Sequence, residues 1–547
     1  MEVKASSIPA PTTVQSIKAD DNDAGGGDDI LPERAENKAT FGPDKVEDDK
    51  EIDQGEERPG IPLSKIRSVA LVAIVAGAAF LNSFGVQSIV IALPTVGTDL
   101  GIPTSRQQWI VSAYSLTFGC FLLLWGRLAD VYGKKLVFAL GSTWFCIISL
   151  TIPFAPQEIP LDLLRGFQGL GAAATVPTAI GILGTTFTKP GKTRNYAFSC
   201  FGAGAPLGSV FGNILGGFIA EYLTWKWIFW IHSIIAAIIT GSAIFVIPRS
   251  PLIEATGIKG AVDWIGGTLI TCGLLALLFA LAEGNVVGWT TPWIPVLITV
   301  LILLVALFTL WQWYLESRCR RPLMKISIFK NTRFSAAMII MTLLQASFNN
   351  FLVFSTYLYQ DYLGLSTIQT TLRFIPTGVV GIITALATGF LLSVIRGSHL
   401  LAFSCLCIST SALLFALPIS PHITYFAYGF PAMCLAVLGI DILYVSLTLF
   451  TAQSLPQEDQ ALGGALINAV AQVGRALGLA LGTAVQTAVE ARRKGVSVQK
   501  VGMEEVGVGD EALLAGLRAA EWLDLGMGVA ALVVVLIAFR GAGKVGQ

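Results

Sequence analysis

Long apolar stretches recur along this sequence from residue 67 to residue 540. Each continues for about 20 residues, and an α-helix of that length crosses the roughly 30 Å hydrocarbon core of a bilayer. We therefore predict fourteen spans, each helical because backbone groups in lipid must be satisfied within their own segment. The predicted spans cover residues 67–92, 107–126, 134–153, 161–184, 197–220, 226–247, 263–282, 291–313, 334–356, 369–392, 400–417, 423–450, 462–488 and 521–540.

The composition agrees with lipid as the main solvent of this chain. The 547 residues are 54% hydrophobic and only 13% charged, too few polar residues to cover soluble domains. The alternating ten-residue pattern of an outer-membrane barrel does not occur. The predicted fold class is an all-α polytopic membrane protein.

Charge is distributed unevenly along the chain. Residues 1–60 hold 16 of the 36 acidic residues and 7 of the 36 basic residues, and few large apolar ones. We interpret this stretch as a disordered cytosolic tail, since transit peptides are poor in acidic residues. Positive residues concentrate in loops on the side of the termini, which predicts that both termini are cytosolic. The loop after span 8 is the most basic, with Arg318, Arg320, Arg321, Lys325, Lys330 and Arg333.

The two halves of the chain contain a weak internal echo. Residues 126–135 join spans 2 and 3, and Gly389, Ser393, Arg396 and Gly397 occupy comparable places between spans 10 and 11. Internal repeats are common in secondary transporters, so we predict two six-helix bundles with two helices between them, a 6+2+6 arrangement. The predicted regions are a tail at 1–65, a first bundle at 66–247, two extra helices and a basic loop at 248–333, and a second bundle at 334–547.

The loop between spans 2 and 3 is the strongest local signal. Its glycines allow close helix approach, and Asp130 can accept hydrogen bonds from helix N-terminal amides or a basic partner. Such a cluster can latch one bundle to the other in one access state; the alternative is a basic loop that only fixes topology. The candidate gating residues are Gly126, Arg127, Asp130, Gly133, Lys134 and Lys135.

Three segments together carry a resemblance to a known family. Residues 126–135 (GRLADVYGKK) resemble motif A of the major facilitator superfamily, residues 161–171 resemble motif B, and glycine-rich span 5 resembles motif C. With fourteen spans, the sequence resembles fungal fourteen-helix drug:proton antiporters. Residues 82–85 and 439–441 are most similar to the aminotriazole-resistance and borate-exporter subgroup. The resemblance implies a major facilitator fold and proton-coupled export of a small organic compound by alternating access.

Span 5 has glycines at a four-residue period. Such a period forms a groove for a neighbouring helix, and Pro206 removes one backbone hydrogen bond and allows a bend. The resemblance associates this helix with export, although Ala205 and Ser209 depart from the strict antiporter form; plain small-residue packing is the alternative. The residues concerned are Gly204, Pro206, Gly208, Gly212, Gly216 and Gly217.

Arg165, Asp441 and Arg475 lie within predicted spans. A lone charge in the membrane is costly and usually has a partner or a cavity, so we treat all three as proton-coupling candidates. Asp441 and Arg475 could form a pair in which arginine movement loads and releases a proton, or a fixed ion pair. The resemblance to motif B implies that Arg165 faces the cavity; the alternative is snorkelling beside Asp162. Many family members have an acidic residue in span 1 where this chain has Gly85, which moves the expectation to Asp441 or to Glu283.

Amide and aromatic side chains in several spans are candidates for a substrate cavity. Apolar walls with a few hydrogen-bonding groups suit a substrate of modest polarity, whereas hydrogen bonding between helices is the alternative for each amide. The candidates are Asn82, Gln87, Trp109, Tyr114, Gln168, Gln345, Asn349 and Asn350.

Other chemistries lack sequence support. No GxxxxGK[ST] element for ATP and no Ser/His/Asp or HExxH arrangement occurs, so we expect no enzyme. No Cys/His spacing suggests a metal, and we expect no cofactor. His232, His399 and His422 are interpreted as scattered residues at the membrane edge.

The expected partners are a small-molecule substrate, protons and the lipid bilayer, without nucleic acid, and the expected state is a monomer. The resemblance favours the plasma membrane and leaves the vacuolar membrane open. One alternative function is import or facilitated passage of a small solute such as ammonium, borate or a nutrient. A second is a membrane receptor that binds solute without transport.

Overall fold

The computed structural model describes residues 64–102, 104–248, 262–289, 291–318, 320, 322–419, 424–496, 498–501 and 508–540. The acidic stretch at residues 1–60 lies outside the described residues, as do Cys319, Arg321 and His422.

Fourteen described helices are long and apolar enough to cross a membrane, which confirms the predicted span count and the all-α fold class. In chain order they are α1 Lys65–Leu100, α2 Trp109–Tyr132, α3 Lys134–Thr151, α4 Glu158–Thr186, α5 Lys192–Tyr222, α6 Lys226–Val246, α7 Trp264–Val287, α8 Trp293–Ser317, α9 Thr332–Tyr357, α10 Thr367–Val394, α11 Gly397–Ala416, α12 Tyr425–Ser454, α13 Gln460–Lys494 and α14 Glu511–Ala538. We call α1–α6 the first half and α9–α14 the second half.

Successive helices run in opposite directions. Arg67 Nε donates to Val246 O at 2.9 Å, which joins the start of α1 to the end of α6. At the other ends of these helices, Trp225 Nε1 donates to Asp99 Oδ2 at 2.7 Å. An even number of crossings puts the start of α1 and the end of α14 on one side, the termini face; the opposite side is the distal face.

The last helix begins ten residues earlier than predicted, at Glu511 instead of residue 521. The Asp510 carboxylate caps it by accepting from Ala512 N at 2.8 Å. Glu511 and Arg518 dilute the apolar signal of the first turns, so the hydropathy pattern missed them. Arg518, predicted in a loop, therefore lies in α14.

The glycine stripe of α5 packs against α1. A Cβ atom on Gly204 would lie 2.5 Å from Ala76 O, and one on Gly216 would lie 2.6 Å from Ser88 O. Gly208 and Gly212 meet the α1 backbone between these points. Glycine is therefore required for the observed approach of the two backbones, which is the groove that the four-residue period predicts.

A second groove of the same kind lies in the second half. A Cβ atom on Gly474 of α13 would lie 2.5 Å from Thr342 O of α9, and one on Gly478 would lie 2.6 Å from Ala346 Cβ. The four-residue glycine period of α13 is visible in the sequence, but this second groove was not predicted from it. One packing solution thus recurs in both halves.

Helices α7 and α8 pack against each other, and α7 also contacts α2 and α13. The Asp263 carboxylate before α7 joins the pair by accepting from Trp311 Nε1 at 2.9 Å and from Gln312 Nε2 at 2.7 Å.

Candidate functional site

The two halves meet at the termini face through the turn that joins α2 and α3. The Asp130 carboxylate accepts from Ala461 N at 3.1 Å and from Leu462 N at 2.8 Å. These amides belong to the first turn of α13, where the helix dipole favours an anion. Lys134 Nζ lies 2.8 Å from Asp130 Oδ1 and supplies the basic partner.

A second ion pair strengthens this contact. Arg127 Nη1 lies 2.7 Å from Asp459 Oδ1, just before α13, and both side chains are only 12% exposed. Gly126 faces the same helix, since a Cβ atom there would lie 2.9 Å from Ala461 O. We call Arg127, Asp130, Lys134, Asp459 and the first turn of α13 the latch.

The other two candidates in this loop have different contacts. Gly133 has φ 104°, a conformation that L side chains rarely adopt, and it ends α2. Lys135 Nζ donates to Ile244 O at 2.6 Å and so binds within the first half. The loop is thus held to both halves at once.

Asp441 lies where α5, α10 and α12 meet. A Cβ atom on Gly381 of α10 would lie 2.9 Å both from Asp441 Oδ2 and from Pro206 Cβ of α5. Asp441 Oδ2 is buried and has no hydrogen-bond partner. A carboxylate oxygen that lacks a hydrogen-bond partner therefore lies at the junction of the two halves.

Arg475 does not pair with Asp441, and no ion pair between them occurs among the described side chains. Arg475 Nε instead donates to Gln345 Oε1 of α9 at 3.2 Å, and Nη1 to Gln472 Oε1 at 3.4 Å. The Arg475 side chain lies half-way along α13 and is exposed, although its partners Gln345 and Gln472 lie on α9 and α13. The Arg475 guanidinium is therefore held by amide oxygens of α9 and α13 and not by a carboxylate.

Arg165 is completely buried in the first half and does not snorkel to an edge. Its Nε donates to Ile110 O at 2.8 Å, Nη2 donates to Gly85 O at 3.3 Å, and Nη1 donates to Gln168 Oε1. The guanidinium also lies over the ring of Tyr114, 4.8 Å from its centroid. Neutral carbonyl groups and a π face thus solvate this cation.

Three predicted cavity residues contact neighbouring helices. Gln168 Nε2 donates to Ser149 Oγ at 2.7 Å, and the Tyr114 hydroxyl donates to Asn82 Oδ1 at 2.8 Å, both inside the first half. Trp109 rests against Phe279 of α7, with ring centroids 5.6 Å apart. These contacts between helices are the alternative role for Gln168 and Tyr114, and the place of all three residues in a substrate cavity stays a prediction.

The amides of α9 point in different directions. Gln345 contacts Arg475, whereas Asn350 Nδ2 donates to Gly478 O and to Asp524 Oδ1, both at 2.9 Å. Adjacent residues on a helix differ by about 100°, so Asn349 and Asn350 cannot share one face. Asn350 therefore forms hydrogen bonds between helices in the interior of the second half, and its place in a cavity stays a prediction.

Asn349, like Gln87 of α1, is half-buried. Gln87 lies against Gly212 of α5, beside the groove.

The burial of several ionisable groups was not predicted from the sequence. Glu521 and Asp524 of α14 are 2% and 0% exposed. His232 is completely buried and lies against the Phe84 ring, with centroids 4.6 Å apart, so its predicted place at the membrane edge is wrong. The spacing Glu521-x-x-Asp524 within an apolar stretch was a visible signal, since acidic residues in a span are rare.

Fourteen membrane-spanning helices in two contacting halves, joined by the latch at one face, are typical of a polytopic secondary transporter. The sequence profile of the Major Facilitator Superfamily matches residues 75–479, and the chain belongs to this family. The "Low affinity ammonium transporter" of Saccharomyces cerevisiae is 32% identical over 77% of this chain and 81% of its own length.

Two further proteins are similar to the chain. The "Puromycin resistance protein pur8" of Streptomyces alboniger is 33% identical over 71% of this chain and 75% of its own length. The crystal structure of the human organic anion transporter MFSD10 has a TM-score of 0.61 at 14% identity and covers 86% of this chain and 99% of that one. At that identity the structural likeness shows the fold alone.

Proposed function

We propose that this protein is a proton-coupled exporter of a small organic compound that works by alternating access. Within the family we place it in the fungal fourteen-helix drug:proton antiporter branch, near the aminotriazole-resistance and borate-exporter subgroup. The observation that carries the proposal is the buried, unpartnered Oδ2 of Asp441 beside Pro206.

A buried carboxylate without a partner is costly when ionised, by several kcal/mol in a membrane interior. Protonation removes that cost. Because α5 of the first half meets α10 and α12 of the second half at Asp441, movement of one half against the other changes its surroundings. Asp441 then binds a proton in one access state and releases it in the other.

The latch gives the gate on the termini face its physical basis. Asp130 and Arg127 bind the start of α13 only when the two halves are close, so the structure represents the state closed at that face. We assign the termini face to the cytosol because of its basic loops, and the protein to the plasma membrane. In this assignment a monomer carries out the full cycle.

The experiment compares a deletion strain with strains that express the wild type or Asp441→Asn. A resistance screen across drugs, weak acids, borate and native metabolites first identifies a compound. Release of that compound from loaded cells is then measured with and without a protonophore. The wild type is expected to show protonophore-sensitive release, and Asp441→Asn is expected to lose it at unchanged protein level in the membrane.

Asp361→Asn is the matched control, since Asp361 is an exposed carboxylate just beyond α9. It is expected to release the compound like the wild type. Wild-type release by Asp441→Asn would refute the assignment of Asp441, and protonophore-insensitive release by the wild type would refute proton coupling.

Import of ammonium is the second candidate function, because the yeast relative at 32% identity is named as an ammonium transporter. Uptake of radiolabelled methylammonium by the same strains distinguishes the two. Faster uptake on expression favours import, whereas unchanged uptake together with compound release favours export.

A further inference from the structure

The second half contains two buried carboxylates that the proposed function does not use. Glu521 and Asp524 lie three residues apart and thus on one face of α14. Glu521 lies near the end of the third turn of the helix, about 15 Å from its start at the distal face. The pair is therefore well inside the span.

Three of the four carboxylate oxygen atoms of Glu521 and Asp524 have no hydrogen-bond donor. Both carboxylate oxygens of Glu521 and Oδ2 of Asp524 are buried without a hydrogen-bond partner. Asp524 Oδ1 accepts from Asn350 Nδ2 at 2.9 Å, while Asn350 Oδ1 is itself unpartnered. Buried acceptors in such number require a donor that the surrounding side chains do not supply.

A cavity leads toward this pair from the distal face. Its walls come from the distal ends of α9, α11, α12 and α14, and its volume of about 20 Å³ is enough for about one water molecule. Phe354, Phe415, Tyr428 and Arg518 line it together with Glu521. Glu521 is thus an unpartnered, 2% exposed side chain that contributes to the cavity wall.

No basic side chain in the described part of the chain forms an ion pair with Glu521 or Asp524. Arg518 Nη2 donates to Ile419 O at 2.8 Å, and Lys494 Nζ pairs with Glu490 and Asp510. Neither forms an ion pair with Glu521 or Asp524 among the described residues. Among the described residues, the titratable or charged groups near the pair are Tyr359 beyond α9, Tyr428 of α12, Glu490 and Lys494 of α13, and Arg518 of α14.

We propose that Glu521 and Asp524 form a proton-binding site inside the second half, reached from the distal face through this cavity and separate from Asp441. Two neighbouring carboxylates in an apolar interior cannot both stay ionised, so at least one holds a proton at neutral pH. A proton suits the site better than a metal ion, because no group of three or more acidic, histidine or cysteine ligands occurs among the described residues.

The site is connected to the packing of α9 on α13. Asn350 Nδ2 binds Asp524 and also Gly478 O, which lies in the α13 groove. Loss of the proton turns Asp524 into a full anion and strengthens its bond with Asn350. Proton binding therefore acts on the helix pair that holds Arg475 against Gln345.

Infrared spectroscopy of the purified protein at pH 7 tests the proposal, because the C=O band of a protonated carboxyl group is resolved from that of a carboxylate. Wild type, Glu521→Gln, Asp524→Asn and the double variant are compared. We expect at least one single variant, and the double variant, to lose protonated-carboxyl intensity. Glu511→Gln, an exposed acid on the same helix, is the matched control and should lose none.

Unchanged intensity in the double variant would overturn the proposal. So would thermal stabilisation of the wild type by Na⁺ or K⁺ that the double variant lacks, since the site would then hold a metal cation. An amide resembles a protonated carboxyl group, so we expect both single variants to be recovered as monodisperse protein; failure of both to fold would also count against the site. The readout needs no substrate, and it therefore stays separate from the test of export.

Discussion

The two halves of this transporter share a packing scheme and differ in the charges that they bury. Each half places a four-residue glycine period of one helix against the backbone of another, α5 on α1 and α13 on α9. Inside the first half lies a cation, Arg165, whose three nitrogen atoms all have acceptors. Inside the second half lie Glu521 and Asp524, with three of four oxygen atoms unpartnered.

This difference separates a fixed charge from groups that exchange protons. An arginine does not lose its proton in proteins, so the surroundings of Arg165 must satisfy a permanent cation. A carboxyl group escapes the cost of burial by binding a proton, and its surroundings can leave acceptors open. The first half thus surrounds its buried cation with fixed acceptors, whereas the second half buries two carboxyl groups with open acceptors.

The largest expected effect comes from removing the fixed cation. Arg165→Met leaves Gln168 Oε1 without its donor and removes the charge-assisted bonds to two carbonyl groups, at a cost of about 3 kcal/mol. Denaturation of the detergent-purified protein measures it. Glu521→Gln, which mimics a protonated acid, should change stability by less than about 1 kcal/mol. Equal losses of stability in the two variants would contradict the proposed difference between the halves.

The shared packing predicts matched effects in the two grooves. Gly208→Ala and Gly478→Ala each force a Cβ atom against the facing helix, which should destabilise the protein by about 1–3 kcal/mol. Gly241→Ala is the control, since no atom lies within 4 Å of its added Cβ. Thermal unfolding of the three variants measures these changes in stability. A loss in one groove only would mean that the two halves are not packed alike.

The latch connects the halves, and a double-mutant cycle measures its strength. Arg127→Ala and Asp459→Ala remove an ion pair of 2.7 Å between side chains that are each 12% exposed. We expect a coupling energy of about 1 kcal/mol in the unfolding free energy. Additive single effects would show that this pair does not hold the halves together.

The smallest effect concerns Asp510, a carboxylate of the second half that does have a cationic partner. Partial desolvation raises the pKa of Asp510, but hydrogen bonds from Lys494 and from the amides of Ala512 and Leu513 outweigh it, so this pKa lies below its ordinary value. An acid whose pKa is lower in the folded than in the unfolded state stabilises the fold at pH values above its unfolded-state pKa. This contribution is lost as the pH falls below about 4.

Asp510→Asn keeps the helix cap and loses the ion pair. The stability difference between wild type and Asp510→Asn should therefore shrink as the pH of the unfolding measurement falls below about 4. A difference that stays constant with pH would mean that Lys494 contributes nothing through charge.

The fold was predictable because hydrophobic length alone specifies a membrane helix, and all fourteen spans occur. The predicted helix boundaries were wrong where polar residues lie inside a helix, as at the start of α14. The candidate site was harder, because the direction of a side chain depends on which helix packs beside it. Asn349 and Asn350 are chemically identical neighbours, yet only Asn350 reaches Asp524. The glycine period of α13 was readable in the sequence, whereas the contacts of Arg165 were not.

Proton movement in reconstituted vesicles tests the central claim most directly. A compound from the resistance screen is added to proteoliposomes that contain a pH-sensitive dye, and exchange of labelled compound is followed in parallel. We predict that wild-type protein moves protons opposite to the compound and that Asp441→Asn retains exchange of the compound without proton movement. Wild-type transport without proton movement, or undiminished proton movement in Asp441→Asn, would contradict the account.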